Sequence, residues 1–98
     1  MHNYILLDVY YVRTRALCDS GTSRSCVLLD VVERLHLTPK PPVNDEPQYL
    51  LSTNKSKMVN LGTVDLNVAI QGLVFNFTFC VFETLSSPII LGYDFLVN

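Results

Sequence analysis

Asp19 is the residue of this sequence whose setting calls for chemistry. Leu17-Cys18 reads as the end of an apolar strand, and the chain then presents a carboxylate, a hydroxyl residue and a glycine in succession, Asp19-Ser20-Gly21. Glycine lets a backbone approach a ligand or another chain without interference from a Cβ. Ser20 and Thr22 supply hydroxyls able to fix the loop or to donate to the carboxylate. Asp-Ser-Gly is also an ordinary turn sequence. What sets this one apart is its place between an apolar strand and a helical pattern, which is unusual for a hairpin turn. A second segment near the C-terminus, Ile89-Ile90-Leu91-Gly92-Tyr93-Asp94-Phe95-Leu96, again runs apolar residues into a glycine and an aspartate.

Other chemistries find little material. Ser20, Ser23 or Ser25 with His36 would make a hydrolytic pair, but nothing places a third group to orient the imidazole. His2 and His36 are the only histidines, and with Cys18, Cys26 and Cys80 they form no metal set at plausible spacing, so neither a metal nor another cofactor is expected. The odd cysteine count without C-x-x-C spacing reads as buried thiols in a reducing compartment. Asn54-Lys55-Ser56 and Asn76-Phe77-Thr78 are sequons that stay silent without secretion. Asp8, Asp30 and Asp65 read as solvent-facing positions.

Composition narrows the function classes. The 98 residues suit one domain, with 49% hydrophobic and 16% charged residues, which excludes intrinsic disorder. So oily a small chain is expected to bury apolar surface against a partner. Seven basic and nine acidic residues give a formal net charge of -2, with no cluster of cations for a phosphate backbone, so nucleic acid is not an expected partner. No apolar run approaches the ~20 residues of a membrane-spanning helix. Met1-His2-Asn3-Tyr4 lacks the pattern of a signal peptide, and an intracellular location is expected.

The elements that have to position Asp19 read as mainly β. Tyr4 to Cys18 suggests two short strands joined by a turn at Arg13-Thr14-Arg15. After the loop, Leu28, Leu29, Val32 and Leu35 recur at helical spacing, which predicts a helix over Cys26 to Leu37, capped by Ser25 and ended by Pro39. Residues 39 to 47 carry four of the five prolines and read as an extended surface loop. Tyr49-Leu50-Leu51-Ser52 and Lys57 to Leu61 flank Thr53-Asn54-Lys55-Ser56, a projecting hairpin with Asn54 suited to a left-handed backbone. Val64, Leu66, Val68 and Ile70 alternate with polar or small residues as a half-buried strand. Gln71-Gly72 turns the chain, and Phe75, Phe77, Phe79 and Val81 return it, a stripe read as core. Ile89-Ile90-Leu91 is a short buried strand, and Asp94 is expected to cap a final turn containing Phe95 and Leu96.

Ala16 to Ser25, taken with the apolar-apolar-Gly-x-Asp-Phe-Leu segment some seventy residues later, resembles the retropepsin-like aspartic proteases. The look is closest to those of long-terminal-repeat retrotransposons and their domesticated relatives, and it covers nearly the whole chain in element order. The resemblance implies an all-β fold: a closed antiparallel barrel with a flap hairpin, one internal helix and a short C-terminal helix. Residues 1–98 would form a single domain, one half of a C2 homodimer. Asp19 would be catalytic, sharing one proton with its symmetry mate. Ser20 would tie the two acidic loops together, Gly21 would present its carbonyl to the substrate, and Thr22, donating to Asp19, implies an acid-shifted pH optimum. Ser23, Thr53, Asn54, Lys55, Pro88 and Ile90 would contact substrate, while Gly92 and Asp94 would support the acidic loop. The implied activity is endopeptidase cleavage of extended peptides with apolar residues at the scissile bond, in processing of a retroelement polyprotein, in the cytoplasm or within retroelement particles. Flaps of this family usually carry a glycine near the tip, and Thr53 to Ser56 has none. That departure keeps a second reading open, a catalytically silent dimerisation or peptide-binding module of the same fold.

Overall fold

The computed structural model describes residues 3–42, 49–51 and 57–97. Eight strands and two short helices follow in the order β1 (Asn3–Val9), β2 (Val12–Cys18), β3 (Cys26–Leu28), α1 (Leu29–Arg34), β4 (Tyr49–Leu51), β5 (Lys57–Val59), β6 (Thr63–Ile70), β7 (Leu73–Phe82), β8 (Ile89–Leu91) and α2 (Tyr93–Leu96). Six of the strands close into a barrel in the order β1-β2-β8-β3-β7-β6, and β4 and β5 form a separate antiparallel pair. The fold is the mostly β closed barrel that the resemblance implies, but it is mixed and not wholly antiparallel, because β2 runs parallel to β8 and β3 parallel to β7.

Two hairpins build most of the wall. β1 and β2 pair from Asn3↔Cys18 to Val9↔Val12, and the two-residue loop between them is Tyr10-Tyr11, both at positive φ (48° and 72°). This corrects the expected turn at Arg13-Thr14-Arg15, whose residues lie within β2. Positive φ at both central positions matches the right-handed twist of the flanking strands, although tyrosines are rare there and gave no local signal. β6 and β7 turn at Gln71-Gly72 as expected, again with both φ values positive (51° and 84°).

β8 is the strand that makes the site possible. It lies parallel to β2 (Leu17↔Ile90) and antiparallel to β3 (Val27↔Ile89), so it threads between the strands that enter and leave the Asp19 loop. β3 in turn runs parallel to β7 (Cys26↔Cys80). Cys26–Leu28 is therefore a strand and not the first turn of a helix. α1 begins at Leu29 with no side-chain cap, and it ends at Arg34 with Leu35 as its C-cap, before His36 in a left-handed conformation (φ 58°) and well before Pro39. Short apolar runs fit either period, and here pairing on both edges decides for the strand.

The barrel interior is filled from every wall by Leu7, Val9, Ala16, Val27, Leu66, Phe79 and Leu91, all almost fully buried, with Val32 of α1 closing it. On the opposite face of the same central strands Leu17, Cys26, Cys80, Phe82 and Ile90 make a second, smaller cluster. The phenylalanine stripe belongs to the core at one end only. Phe79 is buried and Phe77 half-buried, while Phe75 is exposed and stacks edge-on with Phe95 of α2. Asp30 and Asp65 face solvent, and Asp8 is half-exposed beside Arg13. A set of large apolar side chains stays on the surface, among them Tyr4, Leu6, Tyr11, Val12, Leu73 and Val74.

Candidate active site

The central strands deliver Asp19 to one end of the barrel. Its N–H donates to the Leu91 carbonyl at 3.0 Å, which extends the β2–β8 ladder by one residue and sets where the carboxylate emerges. The chain then turns tightly, with the Thr22 N–H donating to the Asp19 carbonyl at 3.1 Å. Within that turn the Gly21 N–H donates to Asp19 Oδ1 at 3.0 Å, and the Thr22 hydroxyl donates to Oδ2 at 3.1 Å. A carboxylate offers about four acceptor positions. Two are used, so the group is oriented by its own loop and keeps capacity for a water, a second carboxyl or a substrate. Ser20 and Gly21 form the exposed crest.

The segment after β8 locks the loop from beneath. The Tyr93 N–H donates to the Thr22 carbonyl at 2.7 Å, and the Asp94 N–H donates to the Ser23 carbonyl at 3.3 Å. Gly92 makes this approach possible, because a Cβ there would stand 2.7 Å from the Thr22 carbonyl oxygen and 2.8 Å from the Arg24 carbonyl. Asp94 does not cap α2. The N-cap is Gly92, without a side-chain bond, and Asp94 sits in the first turn. Its carboxylate reaches back 69 residues, accepting the Ser25 hydroxyl at Oδ1 (2.7 Å) and the Ser25 N–H at Oδ2 (3.1 Å). The Arg24 guanidinium lies 3.7 Å from Oδ2. The fully buried Ser25 hydroxyl also accepts the Gly92 N–H at 3.0 Å.

Ser25 is thus the residue that sequence reasoning misplaced. Expected as a helix cap, it ties the two motifs together instead. Its pairing with Asp94 had no local signal, since the partners meet only once β8 lies between β2 and β3. The structure brings Asp19 to Ser25, Gly92 and Asp94 into one interlocked unit. Ile90 faces the second cluster with Leu17 and Cys26, and half-buried Pro88 accepts the Leu28 N–H at 2.9 Å. Thr53, Asn54 and Lys55 lie outside the described residues. His36 is exposed at the far end of α1, and Ser25 is engaged by Asp94, so no serine–histidine pair is formed with it.

The thiols are quiet. Burial, then the neighbouring Cys80 and the Asp94 charge, push Cys26 up to about 12 from its ordinary 9.0, against a smaller opposite pull from Arg24. Burial also raises Cys18. A thiol held protonated is neither nucleophile nor ligand. Among the described residues no group of three or more His, Cys, Asp or Glu is placed to hold a metal ion.

A family profile described as aspartyl protease matches residues 8–95, and the chain belongs to that family. No curated protein matches it. Among solved structures it is similar to the retroviral protease-like domain of Ddi1 from Leishmania major, at TM-score 0.76 and 22% identity over 99% of this chain and 76% of that one. It is also similar to EIAV protease complexed with the inhibitor HBY-793, at TM-score 0.74 and 13% identity over 99% and 86%. A retropepsin-like aspartic protease from Rickettsia conorii superposes at TM-score 0.70 and 23% identity over 99% and 71%. At these identities the likeness defines the fold, which is retropepsin-like.

Proposed function

We propose that the protein is an aspartic endopeptidase that works as a C2 homodimer, with Asp19 and its symmetry mate as the catalytic pair. The observation that carries this reading is the Asp19 carboxylate itself, oriented by Gly21 and Thr22 yet left with open acceptor positions at an exposed loop. Amide hydrolysis by carboxylates needs two of them sharing a proton. One, ionised, takes a proton from the attacking water while the other, protonated, donates to the carbonyl oxygen. Like charges about 3 Å apart do not both ionise, so the two titrate as a pair with separated apparent values. The chain contains one Asp-Ser-Gly, so a second copy supplies the mate. Exposed apolar side chains such as Tyr4 and Leu6 offer surface for that contact.

In this reading Ser20 ties the paired loops, the Gly21 carbonyl and Ser23 meet the substrate backbone, and Pro88 and Ile90 shape apolar side-chain pockets. The β4–β5 hairpin closes over an extended peptide that pairs as an added strand, and Thr53, Asn54 and Lys55 are proposed to contact that peptide. The substrate is a retroelement polyprotein, processed inside the cell. The glycine-free tip favours a second reading, a silent peptide-binding module of the same fold. Incubation with a peptide library at about pH 4–6, where a shared-proton pair is active, separates the two when run beside Asp19→Asn. Cleavage that disappears in the variant and under pepstatin-type inhibitors supports the protease, and cleavage that persists in the variant rejects it. Sedimentation at several concentrations checks the dimer, and a species that stays monomeric even with inhibitor leaves no catalytic pair.

A further inference from the structure

We propose that the groove between β2 and α1 is a docking site for an extended peptide segment carrying carboxylates between apolar residues, which adds as a strand to the open edge of β2. The inference goes beyond the proposed activity and stands without it. Three independent features of the groove point to this occupant.

The first is an open backbone edge. β2 pairs with β1 along its whole length, but β8 covers it only over Ala16–Cys18. Val9 and Val12 close the two-residue hairpin as a hydrogen-bonded pair, so bonding alternates from there and the peptide groups of Arg13 and Arg15 point away from β1. The Ser87 hydroxyl reaches the Arg15 carbonyl at 3.4 Å. The β2–β8 ladder, its phase set by the Ala16↔Ile89 pairing and the bond from the Asp19 N–H to the Leu91 carbonyl, takes the Arg15 carbonyl through the Ile89 N–H. Among the described residues, the groups left open along the groove are therefore the Arg13 N–H and carbonyl and the Arg15 N–H. An unpaired edge of this kind is a template for strand addition.

The second is an apolar floor. The groove holds about 410 Å³, and Val9, Leu28, Val31, Leu35 and Pro88 line its base. Val12, 58% exposed on the edge strand, offers a further apolar contact. A strand laid along β2 would turn alternate side chains into this space.

The third is charge. Arg13, Arg15 and Arg34 rim the groove against one lining carboxylate, Asp30, in a chain whose formal net charge is -2. Arg34 pairs with Asp30 at 2.9 Å and Arg13 with Asp8 at 2.8 Å, both among exposed side chains. Exposed pairs of this kind are weak and exchange readily. Arg15 lies over the Tyr4 ring at 4.5 Å, a contact that leaves the edge of its guanidinium open to a carboxylate. Pro88 is common to this groove and to the proposed substrate pockets, so the two peptide tracks would meet there.

The probe is a fluorescein-labelled heptapeptide of alternating valine and glutamate, titrated against the full chain by anisotropy with and without a pepstatin-type inhibitor. Saturable binding is expected. It should vanish when lysine replaces glutamate and when alternate peptide nitrogens are methylated. It should weaken about tenfold in Arg15→Glu and in Arg34→Glu, a loss expected of a charge-assisted carboxylate contact, and stay unchanged in Lys40→Glu, which alters the net charge equally at a distance from the groove. Absence of saturable binding at millimolar peptide, equal capture of the lysine peptide, displacement by the inhibitor, or indifference to both arginine substitutions overturns the assignment. Because the readout is binding, it can succeed or fail whether or not Asp19 supports proteolysis.

Discussion

Asp19 and Asp94 stand on the two segments that meet at the end of the barrel, one after β2 and one after β8, and each carboxylate accepts hydrogen bonds. The bonds to Asp19 come from Gly21 and Thr22, two and three residues away in the same loop. Asp94 accepts from the hydroxyl and the N–H of Ser25, 69 residues away, with Arg24 beside them. The local bonds orient Asp19 and leave it open. The long-range bonds tie Asp94 into the frame, where a buried hydroxyl passes the constraint on to Gly92. One motif aims a functional group and the other holds the aim steady.

The sharpest break of this comparison is Asp19→Asn. Loss of general acid–base chemistry should lower the rate of peptide cleavage by about 10²–10⁴-fold, while thermal unfolding moves little, since the Asn oxygen can still accept the Gly21 N–H and the Asn NH2 can donate to the Thr22 hydroxyl oxygen. A large fall in melting temperature would mean that Asp19 too is structural. Gly92→Ala comes next. A methyl group placed 2.7–2.8 Å from two carbonyl groups has no flexible neighbour to displace, and a loss of about 3 kcal/mol in chemical denaturation is expected, at the upper end for overpacking. Retained stability would show that the two loops are not clamped as described.

Ser25→Ala removes both bonds of the buried hydroxyl and leaves Asp94 and the Gly92 N–H short of partners, a loss of about 1–3 kcal/mol measured by urea titration. Activity should fall in this variant only as far as the Asp19 loop loosens, with Asp94→Asn milder because one Ser25 bond survives. The smallest effect concerns Cys26, whose thiol feels the Asp94 charge. Its value rises from 9.0 to about 12 on folding, so below pH 9 the thiol is protonated in both states and stability from this group is fully present. Above pH 9 the unfolded chain loses the proton first, and stability falls by about 1.4 kcal/mol per pH unit until the folded value is passed. Unfolding followed from pH 8 to 10 should show this decline, and Cys26→Ala should flatten it.

Much of the frame was legible in the sequence, for reasons of period and local chemistry. Strict alternation from Val64 to Ile70, a turn at Gln71-Gly72 and a returning stripe specify a hairpin with one buried face, and β6 and β7 form it. An apolar strand running into Asp19-Ser20-Gly21-Thr22 carries its own geometry, because a short loop bonds to its own carboxylate. The Tyr10-Tyr11 turn was hidden, since tyrosine carries no preference for positive φ and the register of β1 on β2 imposes it. Cys26–Leu28 was ambiguous, its apolar run compatible with helix or strand until β8 and β7 took its two edges.

By itself, then, the order of residues determined the hairpins and the acidic loop, features in which neighbours along the chain bond or pack with one another. It marked Gly92 without giving the reason, which is the Thr22 and Arg24 carbonyls of the other motif. Tertiary structure alone decided that Ser25 serves Asp94, that Asp94 braces the loop instead of capping a helix, and that β2 is left open beside three arginines. Contacts between residues 69 apart exist only after the barrel closes, and closure brings them together through pairing of strands whose own sequences say nothing of their partners.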